Sequence, residues 1–234
     1  MPLDLAPASL ASTERRDTIA ERAYDRIREA IVTTAIRPGT RVSESEVAET
    51  FSVSRTPVRE AFKRLQDEGL IEIAPQGGTR VSRVSFGKVK QAVFVRAAVE
   101  STVVRRAGAT PTLAQIEELD ACLRRQKQAV GAGDLLTMHR EDMEFHRQLM
   151  AAYGHPVAWT ACQFITADMA RIEFLVGLEK PHLAAVMREH QAVLRHVRAN
   201  DREAAADALQ AHIRNLEFDQ SVMADKSAAY FDMS

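Results

Sequence analysis

The stretch VSRTPVREAFKRL, residues 53–65, constrains the fold more than any other part of the chain. Ser54 or Thr56 can cap a helix whose first turn takes Pro57, where a missing N–H costs no hydrogen bond. Val58, Ala61, Phe62 and Leu65 then fall at i, i+3, i+4 and i+7, the apolar stripe of that helix. Gly69 suits the left-handed position after its last turn. Just upstream, Ser43 and Glu46 have capping-box spacing and open a short helix through Val47, Ala48 and Phe51. The two helices are joined by the tight connection FSVS.

The flanks extend this pattern. Ile19, Ala23, Ile27 and Ile31 recur every fourth residue and predict an amphipathic first helix, stopped by RPGT. LIEIA and TRVSRV alternate as strands around PQGG, a hairpin with a glycine-permitted turn. Three helices followed by a two-stranded wing describe a winged helix-turn-helix over residues 18–85, preceded by a flexible Pro/Ala/Ser-containing leader at 1–17. From residue 86 the texture becomes long helical pattern. Breaks at GATPT, VGAGD, YGHP, LEKP and RAND divide it into six helices, near 86–108, 112–131, 134–152, 156–178, 182–199 and 201–224. The expected fold is therefore mainly α: a winged helix-turn-helix, then an all-α six-helix antiparallel bundle over 86–226, and a tail at 227–234. Trp159, Phe164, Met169 and Phe174 sit at helical spacings and read as bundle core.

Two chemistries stand out. Arg55, Arg59, Lys63 and Arg64 cluster on the helix of residues 53–65. A charge run is commonly just a solvated face, but here it lies at the N-terminal end of the second helix of a helix-turn-helix, the end that enters a major groove. Arginine can bond two acceptors on a guanine edge, while Ser54 and Thr56 hydroxyls suit phosphate. Gly77 and Gly78 at the wing tip would let backbone approach the duplex, with Arg80 as a further phosphate contact. The net charge of −1 does not oppose this, because a local basic face can hide in a balanced total. Cys122 and Cys162, widely separated and outside any C-x-x-C spacing, read as buried free thiols of a reduced cytoplasmic protein. No apolar run is long enough to span a bilayer, and the N-terminus lacks the basic region of a signal peptide.

The second chemistry lies in the bundle. In EDMEFHRQL, Asp142 and His146 stand at i and i+4 beside the apolar Phe145 and Leu149. His190 and His212 fall on the last two helices, also beside apolar residues. Either these are an ordinary helix ion pair and two core histidines, or facing helices deliver one carboxylate and three imidazoles to a single cation. That donor set suits zinc first, and also nickel or iron, rather than magnesium or calcium.

At the words RPGTRVSESEVAETFSVSRTPVREAFKRLQDEGLIEIAPQGGTRVSRVS the chain resembles the GntR family of bacterial transcription regulators. That resemblance implies that Arg55, Thr56 and Arg59 touch operator DNA and that Gly77 lies at the wing contact. Some members carry an arginine in the second helix where this chain has Ser45, which implies one fewer DNA contact. The pattern Asp142-x-x-x-His146, then Glu189-His190, then His212 resembles the FCD effector domain of the FadR branch, in its shorter, VanR-like six-helix variant. This implies a divalent transition metal, one per chain, on Asp142, His146, His190 and His212. It also implies a small carboxylate effector, a homodimer, and in most such regulators repression released by the effector. Arg96 in VRAAVE matches the domain's Arg-x-x-x-Glu and either meets the effector carboxylate or pairs with Glu100. His139, three residues before Asp142, is a further effector candidate. Two other functions fit parts of the pattern: a metal-dependent hydrolase or lyase of small carboxylates, and a DNA-binding protein with a purely structural metal. An enzyme would not need the first domain, and there is no H-E-x-x-H.

Overall fold

The computed structural model describes residues 18–74, 78–176, 180–215 and 228–232. The leader at 1–17 and Gly77 lie outside them. The chain divides into two compact units, one of Met1–Phe86 with Ala170–Leu175 and Ser221–Ser234, the other of Gly87–Met169 with Val176–Gln220.

The first unit begins with α1 (Ile19–Val32), started by a full capping box between Thr18 and Glu21. Its buried face is Ala23, Tyr24, Ile27, Ala30 and Ile31. After β1 (Arg41–Val42) comes α2 (Glu44–Phe51), whose cap Ser43 accepts from the Glu46 N–H at 3.2 Å. Ser52, in the left-handed region at φ 55°, turns the chain into α3 (Arg55–Asp67). Val58, Ala61, Phe62 and Leu65 are buried on α3, the stripe expected from their spacing, and α3 packs on both α1 and α2. Gly69 follows the helix at φ 71°, where a side chain would be strained.

The wing differs from expectation. It is a three-stranded sheet in the order β1-β3-β2, with β2 at Ile71–Ala74 and β3 at Gly78–Val81. The third strand is β1, whose Arg41 and Val42 pair with Arg80 and Thr79. Its entry is fixed by the Gly39 N–H donating to the Val81 carbonyl and the Val81 N–H to Thr40, at 2.8 and 2.9 Å. A second, unexpected pairing involves the chain's end: β4 (Val84–Ser85) runs parallel to β5 (Phe231–Asp232). Phe231 is buried there and stacks on Phe86 with ring centres 4.9 Å apart, while Arg37 donates to the Tyr230 hydroxyl at 2.9 Å.

Seven helices follow β4: α4 (Phe86–Arg106), α5 (Leu113–Ala132), α6 (Leu135–Ala152), α7 (Pro156–Gln163), α8 (Ala167–Val176), whose residues 170–175 belong to the first unit, α9 (Lys180–Arg198) and α10 (Arg202–Arg214). α5 packs on α6 and α9, α9 on α10, and α6 on α7. The capping box expected at Thr112 and Gln115 is present, and Pro156 opens α7. The mainly α class is as expected, but seven helices are described where six were expected. The helix expected over 156–178 breaks at Phe164–Thr166. The Ile165 and Thr166 N–H groups reach back only three residues, to Cys162 and Gln163, and the Thr166 hydroxyl also takes the Gln163 carbonyl. Two consecutive β-branched residues, one with a competing hydroxyl, favour this turn over continued helix. Phe164, expected in the core, is 52% exposed at the break, whereas Trp159 and Met169 are buried. The helix count thus no longer argues for the shorter variant. The last helix is described to Arg214, and its expected continuation lies outside the described residues.

Candidate metal centre and nucleic-acid interface

α6 places Asp142 and His146 one turn apart, and the packed pair α9 and α10 brings His190 and His212 to the same point. One ligand atom from each of these four residues lies within 4.8 Å of the others. The three histidines are fully buried, and the Asp142 side chain is 14% exposed. His139, on the preceding turn of α6, is half-buried and is not one of the four.

What surrounds the imidazoles settles their orientation. His146 Nδ1 meets Glu100 Oε2 at 2.6 Å, His190 Nδ1 meets Gln126 Oε1 at 3.0 Å, and His212 Nδ1 meets Glu189 Oε2 at 2.8 Å. Gln126 cannot offer its amide instead, because its Nε2 is spent on the Glu141 carbonyl at 3.0 Å. All three partners are acceptors, so each Nδ1 carries the proton and each Nε2 presents a lone pair. Those lone pairs converge. His190 Nε2 lies 3.0 Å from His212 Nε2 and 3.3 Å from Asp142 Oδ1, and buried His146 Nε2 has no hydrogen-bond partner. Two facing lone pairs and an orphaned one are costly in a buried site unless a cation sits among them.

The spacing fits an ion. Two nitrogens each about 2.1 Å from one metal and 3.0 Å apart subtend about 90°, an octahedral edge. Burial also disfavours protonation of all three imidazoles. Burial first, then neighbouring positive charge from Arg96, lowers the basicity of His146. Burial and the neighbouring imidazoles push His190 well below the ordinary histidine value, and burial lowers His212 despite Glu189. Neutral imidazole is the form that binds metal.

Arg96 and Glu100 form the ion pair anticipated from their spacing, Arg96 Nε to Glu100 Oε1 at 2.6 Å, but it is buried rather than at the surface. Burial alone would raise the Glu100 carboxyl; Arg96 and His146 outweigh it and pull the carboxyl down to about 2. Arg96 Nη2 remains buried and unpartnered, and its guanidinium lies 5.5 Å from the Trp159 ring centre. Trp159 in turn stacks over His146, ring centres 5.9 Å apart and 12° between planes. The sequence pattern read Trp159 as core and gave Glu189 no role beyond standing before His190. Its position beside His190 carried no sign that it would reach His212.

In the first unit, Ser54, Arg55, Thr56 and Arg59 are all exposed along the N-terminal half of α3, with Arg55 and Arg59 side chains 62% and 67% exposed. Ser54 occupies the cap position but its side chain makes no capping bond. Arg64 is differently employed: its guanidinium covers the Tyr24 ring at 3.7 Å, beside the Arg28–Glu68 ion pair, so it braces α1 against α3. Arg80 on β3 is exposed and donates to the Gly39 carbonyl at 3.1 Å. Arg41 was not anticipated. It lies against Gly78 at the wing, where an added Cβ would come within 3.2 Å of its Nε.

A three-helix unit with exposed arginines on its third helix and a wing, together with a helical unit in which three histidines and an aspartate converge, defines a class of regulator. Residues 19–81 match the bacterial regulatory protein gntR family and residues 91–215 match the FCD domain. The chain belongs to the GntR family, in its FCD-containing branch, and is a DNA-binding transcription regulator rather than an enzyme. It is 31% identical over 198 residues to the HTH-type transcriptional repressor RspR of Escherichia coli, covering 85% of this chain and 87% of that one. It is 28% identical, with the same coverage, to a probable D-xylose utilization operon transcriptional repressor of Paenarthrobacter nicotinovorans. Among solved structures, Escherichia coli McbR/YncC aligns with TM-score 0.75 and 20% identity, over 85% of this chain and 95% of that one. A putative GntR regulator from a Rhodococcus species aligns with TM-score 0.71 and 23% identity, over 90% and 98%. No described helix is long and apolar enough to cross a membrane.

Proposed function

We propose that this regulator is a cytoplasmic, homodimeric repressor whose operator affinity is set by a small carboxylate bound at a metal site in its FCD domain. The observation that carries the reading is the convergence of three Nε2 lone pairs and the Asp142 carboxylate, each imidazole fixed from behind by its own acceptor. Asp142, His146, His190 and His212 would hold one divalent transition metal per chain, zinc first and nickel or iron next by donor type. A bound ion supplies Lewis-acid positions for an effector carboxylate. Four protein ligands on a six-coordinate ion leave two such positions. The buried, unpartnered Arg96 Nη2 supports a second hold on an anion near His146, and the buried Glu100 carboxylate keeps Arg96 oriented while it does so. His139 is proposed at the margin of the same site. At the DNA, Arg55 and Arg59 would read base edges while Ser54, Thr56, Gly77 and Arg80 meet the sugar-phosphate rail.

In the dimer, two α3 helices about 34 Å apart would span a near-palindromic operator. The effector acts only if it prefers one of the DNA-competent and incompetent states; equal affinity for both would shift nothing. The test is a titration of operator duplex with metal-loaded and chelator-stripped protein, with and without a panel of small carboxylates. A carboxylate that weakens operator binding only in the loaded protein supports the reading. Identical curves in all arms, with metal merely raising the melting temperature, would leave the ion a structural role.

A further inference from the structure

One carboxylate reaches from α2 to both arginines offered for base reading. Glu44 is the first residue of α2, positioned by the Ser43 cap, and its side chain is 25% exposed. Its Oε2 lies 3.2 Å from Arg59 Nε and 3.5 Å from Arg55 Nη2, and its Oε1 lies 3.4 Å from Arg59 Nε. Arg55 and Arg59 are one helical turn apart on α3, so a single carboxylate spans the pair. An exposed contact of this kind adds little to stability. Its physical effect is orientation: a long arginine side chain gives up rotamer freedom when it binds, and a side chain already held gives up less. Arg59 spends its Nε–H on Glu44, so its terminal nitrogens, the pair that bonds two guanine acceptors end-on, stay outside that contact. The carboxylate also places negative charge where phosphates must approach, which penalises docking that does not make base contacts.

We infer that Glu44 is a specificity-determining residue, a positioning group that aims Arg59, with Arg55 beside it, and thereby widens the gap between operator and random DNA. This rests on the proposal that α3 reads the operator. Glu44 itself need not touch a base; it acts through Arg59, and the two residues form one energetic unit. Removing Glu44 then costs discrimination only while Arg59 is present.

The test uses the full-length protein and the duplex that it enriches from a random-sequence pool, with a scrambled duplex of equal length as reference. The ratio of scrambled to enriched-duplex Kd is measured for wild type, Glu44→Ala, Glu44→Gln, Arg59→Ala and Glu44→Ala/Arg59→Ala, each first checked for a wild-type melting temperature. Glu44→Ala is expected to lower the ratio about tenfold, a share of what a good bidentate base contact supplies. Glu44→Gln, whose amide oxygen still accepts from Arg59, retains most of the ratio. The double variant matches Arg59→Ala alone, because coupled residues are not additive. An unchanged ratio, with both duplexes bound equally tighter, would reduce Glu44 to a like-signed charge near phosphate and overturn the inference. Additive losses in the double variant overturn it too, since Glu44 would then read DNA independently. If Arg59→Ala leaves the ratio untouched, recognition by α3 fails, and this inference with it.

Discussion

Replacing Glu100 with alanine strands two buried partners at once. Its carboxylate accepts from Arg96 Nε and His146 Nδ1, both at 2.6 Å, and all three side chains are at most 1% exposed. Removing one member of a buried ion pair leaves an uncompensated charge, worth about 3–5 kcal/mol. For a chain of this length about 1 kcal/mol lowers the melting temperature by roughly 2–4 °C, so Glu100→Ala should melt some 6–20 °C lower. The effect continues into the proposed metal site. Without an acceptor at Nδ1, His146 is free to rotate or change tautomer, and loss of such an outer partner lowers metal affinity by about 10–100-fold. Glu100→Gln keeps an acceptor of similar shape but not the charge, and should recover part of the affinity while remaining destabilised through Arg96. Differential scanning calorimetry of the metal-free protein, with a competitive chelator titration of the loaded protein, reads both effects. A Glu100→Ala protein within about 1 kcal/mol of wild type, with unchanged metal affinity, would refute a buried Arg96–Glu100–His146 relay.

Other outcomes follow from the same geometry. His146, His190 and His212 are held below the ordinary histidine value, chiefly by burial, so the unfolded chain takes up protons first as pH falls. The metal-free protein should therefore be most stable above about pH 6.5 and lose up to about 1.4 kcal/mol per histidine per pH unit below it. A chelated His190→Ala variant with as steep a pH slope as wild type would contradict this. Phe231→Ala removes a buried ring stacked on Phe86 and should cost about 3–5 kcal/mol, seen in denaturant melts of the full chain; a loss under about 1 kcal/mol would show that the β4–β5 pairing contributes little. Arg59→Ala should weaken operator binding by about 1–3 kcal/mol with little change in salt slope, whereas an equal loss on random DNA, with a slope shallower by about one, marks a phosphate contact.

The first unit was legible because its helices announce themselves by period and by caps. Ser43 with Glu46 and Gly69 mark ends, and Val58, Ala61, Phe62 and Leu65 mark one buried stripe, whereas the Thr18–Glu21 cap of α1 was not read. β1 was not legible, since two residues are too short to show alternation and its place was fixed by hydrogen bonds to β3. β5 was hidden for a related reason: its partner β4 lies far upstream in the sequence, and no local pattern encodes a parallel pairing of two-residue strands. The break at Phe164–Thr166 went unseen because the apolar spacing from Trp159 to Phe174 continues through it. At the candidate metal site, the four donors could be nominated from spacing and resemblance. Their supports were harder to foresee: Glu100, Gln126 and Glu189 come from three helices, and only Glu100 had a visible partner, Arg96, four residues away. Arg64 shared its neighbours' charge but not their role, because Tyr24 on α1 offered it a ring.

In the proposed mechanism Asp142, His146, His190 and His212 share one cation, and the cation links effector to operator. Elemental analysis of protein purified without affinity metals, run beside His190→Ala, tests it most directly. About one transition-metal ion per wild-type chain is expected, near zero in His190→Ala, and the variant's operator affinity should no longer respond to any carboxylate that moves the wild type. Equal metal content in the two proteins would contradict it.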